Sequence, residues 1–262
     1  MAEREPFKVY AIRYATLEKR ASENFIGGDP HDGPMPMDYF VWVAISASAT
    51  WVIDTGFNVA MAQKRGRQFL RCPAEALKLL GVDAATVKNL IITHLHYDHI
   101  GNFELFPQAR FHMQDSEMAY ATGRYMGNAF FSGAYEVDDV VAMVRNVYAG
   151  RVSFYDGDVE LAPNLSLHHV GGHTKGLQVV RLWTESGWLV LASDASHYAA
   201  NMNENRPFPI VVDIGQMVDG WEKLRSLVDD PARIIPGHDP LVMQQFHAPD
   251  ASLQGILVRL DS

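Results

Sequence analysis

Four side chains able to bind a metal fall within six consecutive positions: His94, His96, Asp98 and His99, in the string THLHYDHIGN at residues 93–102. An apolar run, VKNLIITH, leads directly into them. Imidazole and carboxylate are the usual ligands of borderline divalent ions such as Zn2+. Side chains alternate along an extended segment, so His94, His96 and Asp98 share one side. A turn at Asp98–His99 brings His99 to the same side, and Gly101 permits a sharp bend into a helix. A chain carrying this pattern is expected to fold so that the end of an apolar strand overhangs a cleft.

Three later positions extend the pattern. His173 sits in VGGHTKG, between two expected strands and beside glycines that let backbone pass close to a metal. Asp194 ends the apolar run WLVLASD, and His238 ends RIIPGHD. All three lie at strand ends, as the first cluster does.

Patterning places these ends in a layered fold. FKVYAIRYA, DYFVWVAISA and TWVIDTG read as strands, being rich in β-branched and aromatic residues. CPAEALKLLGV reads as a helix stopping at Gly81. RVSFYD, LSLHHV, LQVVRLW and GWLVLASD then read as strands, VDIGQMVDGWEKLRSLV as a helix and ARIIPGHD as a strand. Strands in runs with helices after them predict an α/β (α+β layered) sandwich of two sheets covered by helices. No repeat or long Pro/Gly linker divides it, so residues 1–262 are expected to form one domain. Residues 23–37 and 117–135 depart from the pattern, being rich in Gly with Pro or with aromatic and Met residues. Phe25, Ile26, Tyr120, Tyr125, Met126, Phe130 and Phe131 in them are candidate walls of a substrate cavity, or else the packing surface of an insertion or subunit interface.

Composition excludes more than it identifies. Net charge is −9 and the 22 Lys and Arg residues are scattered, so no basic stripe marks a nucleic-acid surface. Cys72 is the single cysteine and excludes an internal disulfide. MAEREPFKVYAIRYA lacks the apolar stretch of a signal peptide, and no window approaches the ~20 apolar residues of a membrane span. A soluble, cytoplasmic protein is the expectation.

The order H-x-H-x-D-H, Gly-His, Asp, Gly-His resembles the metallo-β-lactamase superfamily over nearly the whole chain. The resemblance implies an αβ/βα sandwich of two mixed sheets flanked by helices, with a two-metal site at one edge. It implies His94, His96 and His173 on one zinc ion, Asp98, His99 and His238 on the other, and Asp194 bridging; other divalent ions are compatible. Asp54, in VIDTG, would support the ligands from behind. His112, His168, His169 and His247 are expected not to be ligands, although His168 or His169 could support His173.

The true β-lactamases of this fold generally place cysteine where this chain has Asp194, and flavodiiron reductases place Glu where it has His96. What remains resembles the N-acyl-homoserine lactone lactonases, through the motif, ASDASHY at 192–198 and PGHDP at 236–240. There a tyrosine three residues after the bridging Asp contacts the substrate carbonyl. Here that position is His197, with Tyr198 beside it, and either could donate a hydrogen bond. The resemblance implies ring opening by a metal-bridging hydroxide, an oxyanion held by one metal with His197 or Tyr198, and Asp98 carrying a proton to the leaving oxygen. The partner is a small lactone or ester; no organic cofactor, nucleic acid or membrane is expected, and a homodimer is open. The alternatives are a thioesterase resembling glyoxalase II, whose C-terminal helical domain has no counterpart in the 24 residues after His238, and a catalytically silent metal-binding module.

Overall fold

The computed structural model describes residues 4–261. Its strands are β1 (Lys8–Leu17), β2 (Met37–Ile45), β3 (Thr50–Ile53), β4 (Gln68–Phe69), β5 (Asn89–Ile91), β6 (Arg110–Gln114), β7 (Val152–Tyr155), β8 (Val159–Ala162), β9 (Leu165–His169), β10 (Gln178–Thr184), β11 (Gly187–Ser193), β12 (Ile234–Pro236) and β13 (Leu257–Arg259). One sheet runs β13-β1-β2-β3-β5-β6-β7, with β4 on β1, and the other β12-β11-β10-β9-β8. Both are mixed: β3, β5, β6 and β7 pair in parallel, as do β11 and β12, and the remaining pairs are antiparallel.

Alternation along the strands explains the layering. On β2, Phe40, Trp42 and Ala44 pack with Leu167, Val180, Leu182 and Leu191 of the other sheet, whereas Tyr39, Val41 and Val43 face a second apolar cluster under the helices. The second sheet is backed in turn by the helix Ile214–Ser226, whose Met217, Trp221 and Leu224 are buried. Asp213 caps this helix, accepting from Gln216 N at 3.0 Å. This is the expected two-sheet sandwich with helices outside. Among the described residues, no helix is long and apolar enough to cross a membrane.

Strand direction places the site. β3 and β5 are parallel neighbours, so Asp54 and Thr93–His94 emerge at one edge; β11 and β12 are parallel, so Asp194 and His238 emerge together on the other sheet. The carboxyl ends of both sheets meet where Thr93 Oγ1 and Ser193 Oγ lie 2.9 Å apart.

Residues 117–135 are helical rather than irregular: Asp115–Ala121, the 3-10 turn Arg124–Gly127 and Ala129–Ser132. Their glycines fall at or near the ends of short helices. The patterning also passed over β4, β6, β8, β13 and the helix Val137–Tyr148.

His112 on β6 is buried, with Nδ1 2.8 Å from the Tyr155 hydroxyl. Burial, helped by the Arg110 charge, lowers its pKa from 6.5 to about 4. The unfolded chain takes up this proton first, so the group's contribution to stability is complete above pH 6.5 and is lost as pH falls toward 4. The shift corresponds to about 3 kcal/mol. His112→Gln should therefore flatten the acid limb of urea-unfolding free energy between pH 6.5 and 4; an unchanged slope would contradict this.

Candidate metal centre

Each ligand candidate reaches the site from a strand end or the turn beyond it. His94 and His96 follow β5, and the short helix Tyr97–Ile100 turns Asp98 and His99 back toward them. All seven side chains, His94, His96, Asp98, His99, His173, Asp194 and His238, are buried. They form groups whose donor atoms lie within 4.8 Å of one another: His94, His96 and His173; His94, His99 and Asp194; and Asp98, His99 and His238.

Asp194 stands between the groups. Its Oδ2 lies 3.2 Å from His173 Nε2 and 3.9 Å from His94 Nε2, while its Oδ1 lies 3.1 Å from His238 Nε2 and 3.4 Å from His99 Nε2. Asp98 Oδ2 is 3.8 Å from both His99 Nε2 and His238 Nε2.

Hydrogen bonds behind the rings fix which nitrogen faces inward. His173 Nδ1 lies 2.6 Å from the Ile210 carbonyl and His238 Nδ1 2.8 Å from the Asp38 carbonyl. A carbonyl only accepts, so each Nδ1 carries the proton and each Nε2 presents a lone pair to the centre. His99 Nδ1 is held the same way by Asp54 Oδ2 at 2.7 Å. Asp54 also accepts from Thr93 N and Thr93 Oγ1, each at 2.8 Å, and takes a left-handed φ of 61° to do so. It sits behind the candidate ligand His99.

This donor set fits divalent ions. His173 Nε2 lies 3.2 Å from His94 Nε2 and 2.9 Å from His96 Nδ1, an approach of nitrogens that a shared cation reconciles. His99 Nε2 and Asp194 Oδ1 are buried without a hydrogen bond. Burial pushes His94, His96 and His173 below the ordinary imidazole range, and the neighbouring imidazoles push the first two further, which keeps their lone pairs free. For His99 and His238 burial acts the same way, but the surrounding carboxylates together outweigh it, Asp194 foremost with Asp98 and, for His99, Asp54, and both rise. Asp194 resists protonation despite burial because His238, His99, His197 and His173 surround it. The second group is thus built to receive positive charge.

The structure separates the two candidates for the carbonyl contact. His197 lines the cavity, stacked on Phe208 at 3.7 Å, with Nε2 3.0 Å from Asp194 Oδ2. Burial lowers its pKa to about 3, so it is neutral, and beside a carboxylate its Nε2 is the donor. Tyr198 is turned away from the cavity. Its hydroxyl is 3.2 Å from the Pro36 carbonyl, packed under residues 35–37.

The cavity over the cluster has a volume of about 510 Å³. Of the expected wall residues, Tyr120, Phe130 and Phe131 line it, joined by Ile210 and Val211; Phe25, Ile26, Tyr125 and Met126 do not. Phe25 is buried under the Arg206 guanidinium, 3.7 Å from its ring, and Ile26 is exposed.

One residue escaped sequence reasoning. Glu117 is fully buried, and its Oε1 accepts from Leu95 N (2.9 Å) and Tyr135 Oη (3.2 Å) while its Oε2 accepts from Thr174 Oγ1 (2.6 Å) and Gly176 N (3.0 Å). Leu95 lies between His94 and His96, and Thr174 follows His173, so one carboxyl group ties both ligand loops together. Gly176 is required by the approach: a Cβ there would sit 2.1 Å from Glu117 N. In sequence, Glu117 reads as an ordinary acid in the first turn of a helix. His169 also supports the His173 loop, its Nε2 2.8 Å from the Lys175 carbonyl. His168 bonds Asp158 and Ser166, and His247 pairs through backbone with Arg259.

Residues 37–238 match the model of the metallo-beta-lactamase superfamily. The chain belongs to that superfamily. Among curated relatives, the N-acyl homoserine lactonase AttM of Azorhizobium caulinodans is 33% identical over 181 residues, 67% of this chain and 66% of that protein, just under two thirds of its length. AttM of Agrobacterium fabrum is 30% identical over 259 residues, 91% of this chain and 95% of that one. Among solved structures, an N-acyl homoserine lactone hydrolase with the product N-hexanoyl-L-homoserine at its catalytic metal centre superimposes with a TM-score of 0.78 at 20% identity, covering 94% of this chain and 98% of that one. AidC, described as a dizinc quorum-quenching lactonase, gives 0.67 at 17% identity, covering 91% and 90%. At these identities the structures establish the shared fold.

Proposed function

We propose that this protein is a dinuclear zinc hydrolase that opens a lactone ring, of the N-acyl-homoserine lactone type. The observation that carries the reading is Asp194, whose two oxygens face two separate groups of inward-pointing donors beneath an open cavity. Lactonases among the curated relatives support it. His94, His96 and His173 would hold one ion and Asp98, His99 and His238 the other, with Asp194 between. Ions so held supply a water of lowered pKa and a Lewis acid for the carbonyl.

The chain's own groups complete the chemistry. With Asp194 turned to the ions, the Nε2–H of the neutral His197 would pass from Asp194 Oδ2 to the carbonyl oxygen as charge develops there. Asp98 carries a proton to the leaving oxygen. Tyr120, Phe130, Phe131, Ile210 and Val211 cover the stem of the substrate's side arm. A single cytoplasmic domain acting on a small molecule accommodates all of this.

The test is a panel of lactones, aryl esters and thioesters with the zinc-loaded protein. Homoserine lactones should be opened, and kcat/KM should rise with acyl length at ~0.8 kcal/mol per buried CH2 until the cavity is filled. His197→Ala should lower kcat about 10–1000-fold with metal content unchanged. Thioester turnover without lactone turnover would overturn the reading in favour of a thioesterase, and no turnover at all would favour a silent metal-binding module.

A further inference from the structure

One wall of the cavity is unlike the others. Lys19, Arg65 and Arg67 all line it, in a protein whose net charge of −9 repels anions. Arg65 is neutralised, with Nη2 2.5 Å from Glu136 Oε1 and Nε 3.0 Å from the same oxygen. Arg67 is not. Its Nε donates to the Tyr97 hydroxyl at 3.0 Å and its Nη1 to the Arg65 carbonyl at 2.5 Å, leaving Nη2 unengaged among the described residues. The Lys19 ammonium has only the Glu23 carbonyl, at 3.4 Å. The Glu23 carboxylate is turned to Arg20 N instead, and the Glu18 carboxylate, which also lines the cavity, is exposed. Among the described residues neither Arg67 nor Lys19 has a carboxylate within 4.0 Å.

Both cations are partly buried; burial pulls the Lys19 pKa down, the Glu23 charge opposes this, and the weaker influence of the nearby Arg67 charge adds to it. Two like charges in one cavity wall, neither in contact with a carboxylate, leave donors that an anion bound between them would engage. A guanidinium with free donors, beside a mobile ammonium, suits a carboxylate.

We propose that Arg67 and Lys19 form an anion subsite that receives a carboxylate on the side arm of the substrate. The substrate class is therefore an acidic lactone: the ring lies at the Asp194 cluster, the arm's stem along Phe130 and Phe131, and its charged end at Arg67. This rests on the lactone-opening reading above and narrows it.

The test compares N-glutaryl-homoserine lactone with its neutral methyl ester, using the zinc-loaded full-length protein. The acid should show about tenfold higher kcat/KM at low salt, expressed mainly in KM, with the preference shrinking as salt is added. Arg67→Gln and Lys19→Gln should each remove most of the preference, lowering turnover of the acid far more than of the ester, and Arg67→Lys should retain much of it. No preference in the wild type, or equal losses on both substrates, would overturn the subsite. Should neither lactone be opened, the lactone reading fails, and calorimetric binding of the same two compounds decides the subsite separately. Tighter binding of the acid, abolished by Arg67→Gln, supports it; equal binding rejects it.

Discussion

Asp194→Ala should abolish hydrolysis and release metal together. Asp194 lies within 4.0 Å of His94, His173, His99 and His238, and its two oxygens are divided between the two groups. Removing it leaves four imidazoles facing a void, with Asp98 the one carboxylate of the seven left to offset two divalent ions. Loss of an outer-shell partner alone costs metal sites 10–100-fold in affinity or activity, so loss of the shared carboxylate should exceed about 100-fold in both. The change also removes the charge that raises His99 and His238, so their protonation should fall back toward what burial dictates. Elemental analysis and turnover of the gently purified variant check this. Retention of both metals with near-full turnover would show that Asp194 does not bridge.

Glu117→Gln should weaken the metal centre itself, although Glu117 is not a ligand candidate. The amide matches the carboxylate in size but has one acceptor oxygen. Leu95 N–H and Gly176 N–H approach opposite ends of the group, so one of them must then face an NH2. A buried donor left unsatisfied costs about 1–3 kcal/mol. Because the two donors belong to the His94–His96 and His173 loops, the loss should also appear as zinc affinity weakened roughly 10–100-fold in chelator competition. Glu117→Asp, too short to span both loops, should not rescue it. A folded variant with unaltered zinc affinity would reduce Glu117 to a packing residue.

How much of this was legible in the sequence depended on how local each signal is. The strand–histidine junction at 92–99 is local, since apolar alternation followed by H-x-H-x-D-H specifies both the strand end and the facing side chains. Asp194 and His238 were legible for the same reason, each ending an apolar run. The choice between His197 and Tyr198 was not, because it depends on how the backbone leaves β11 at Ser193, where φ is 45°. Glu117 and Arg67 were invisible because their meaning lies in partners far along the chain: Gly176 is 59 residues from Glu117, and Tyr97 is 30 from Arg67. The segment 117–135 departs from the strand-and-helix pattern in sequence because its glycines look like breaks, whereas they delimit short helices whose Phe130 and Phe131 reach the cavity. Phe25 and Ile26 show the converse: apolar residues in a Gly/Pro-rich loop gave no hint of which side they would face.

In the proposed function, two ions held by seven side chains around Asp194 open a lactone. Its most direct test is to strip the protein with a chelator, add back zinc stepwise, and follow bound metal and homoserine-lactone opening in the same samples. Activity should climb with occupancy and break at two equivalents per chain. A plateau at one equivalent, or full occupancy with no ring opening, would contradict it.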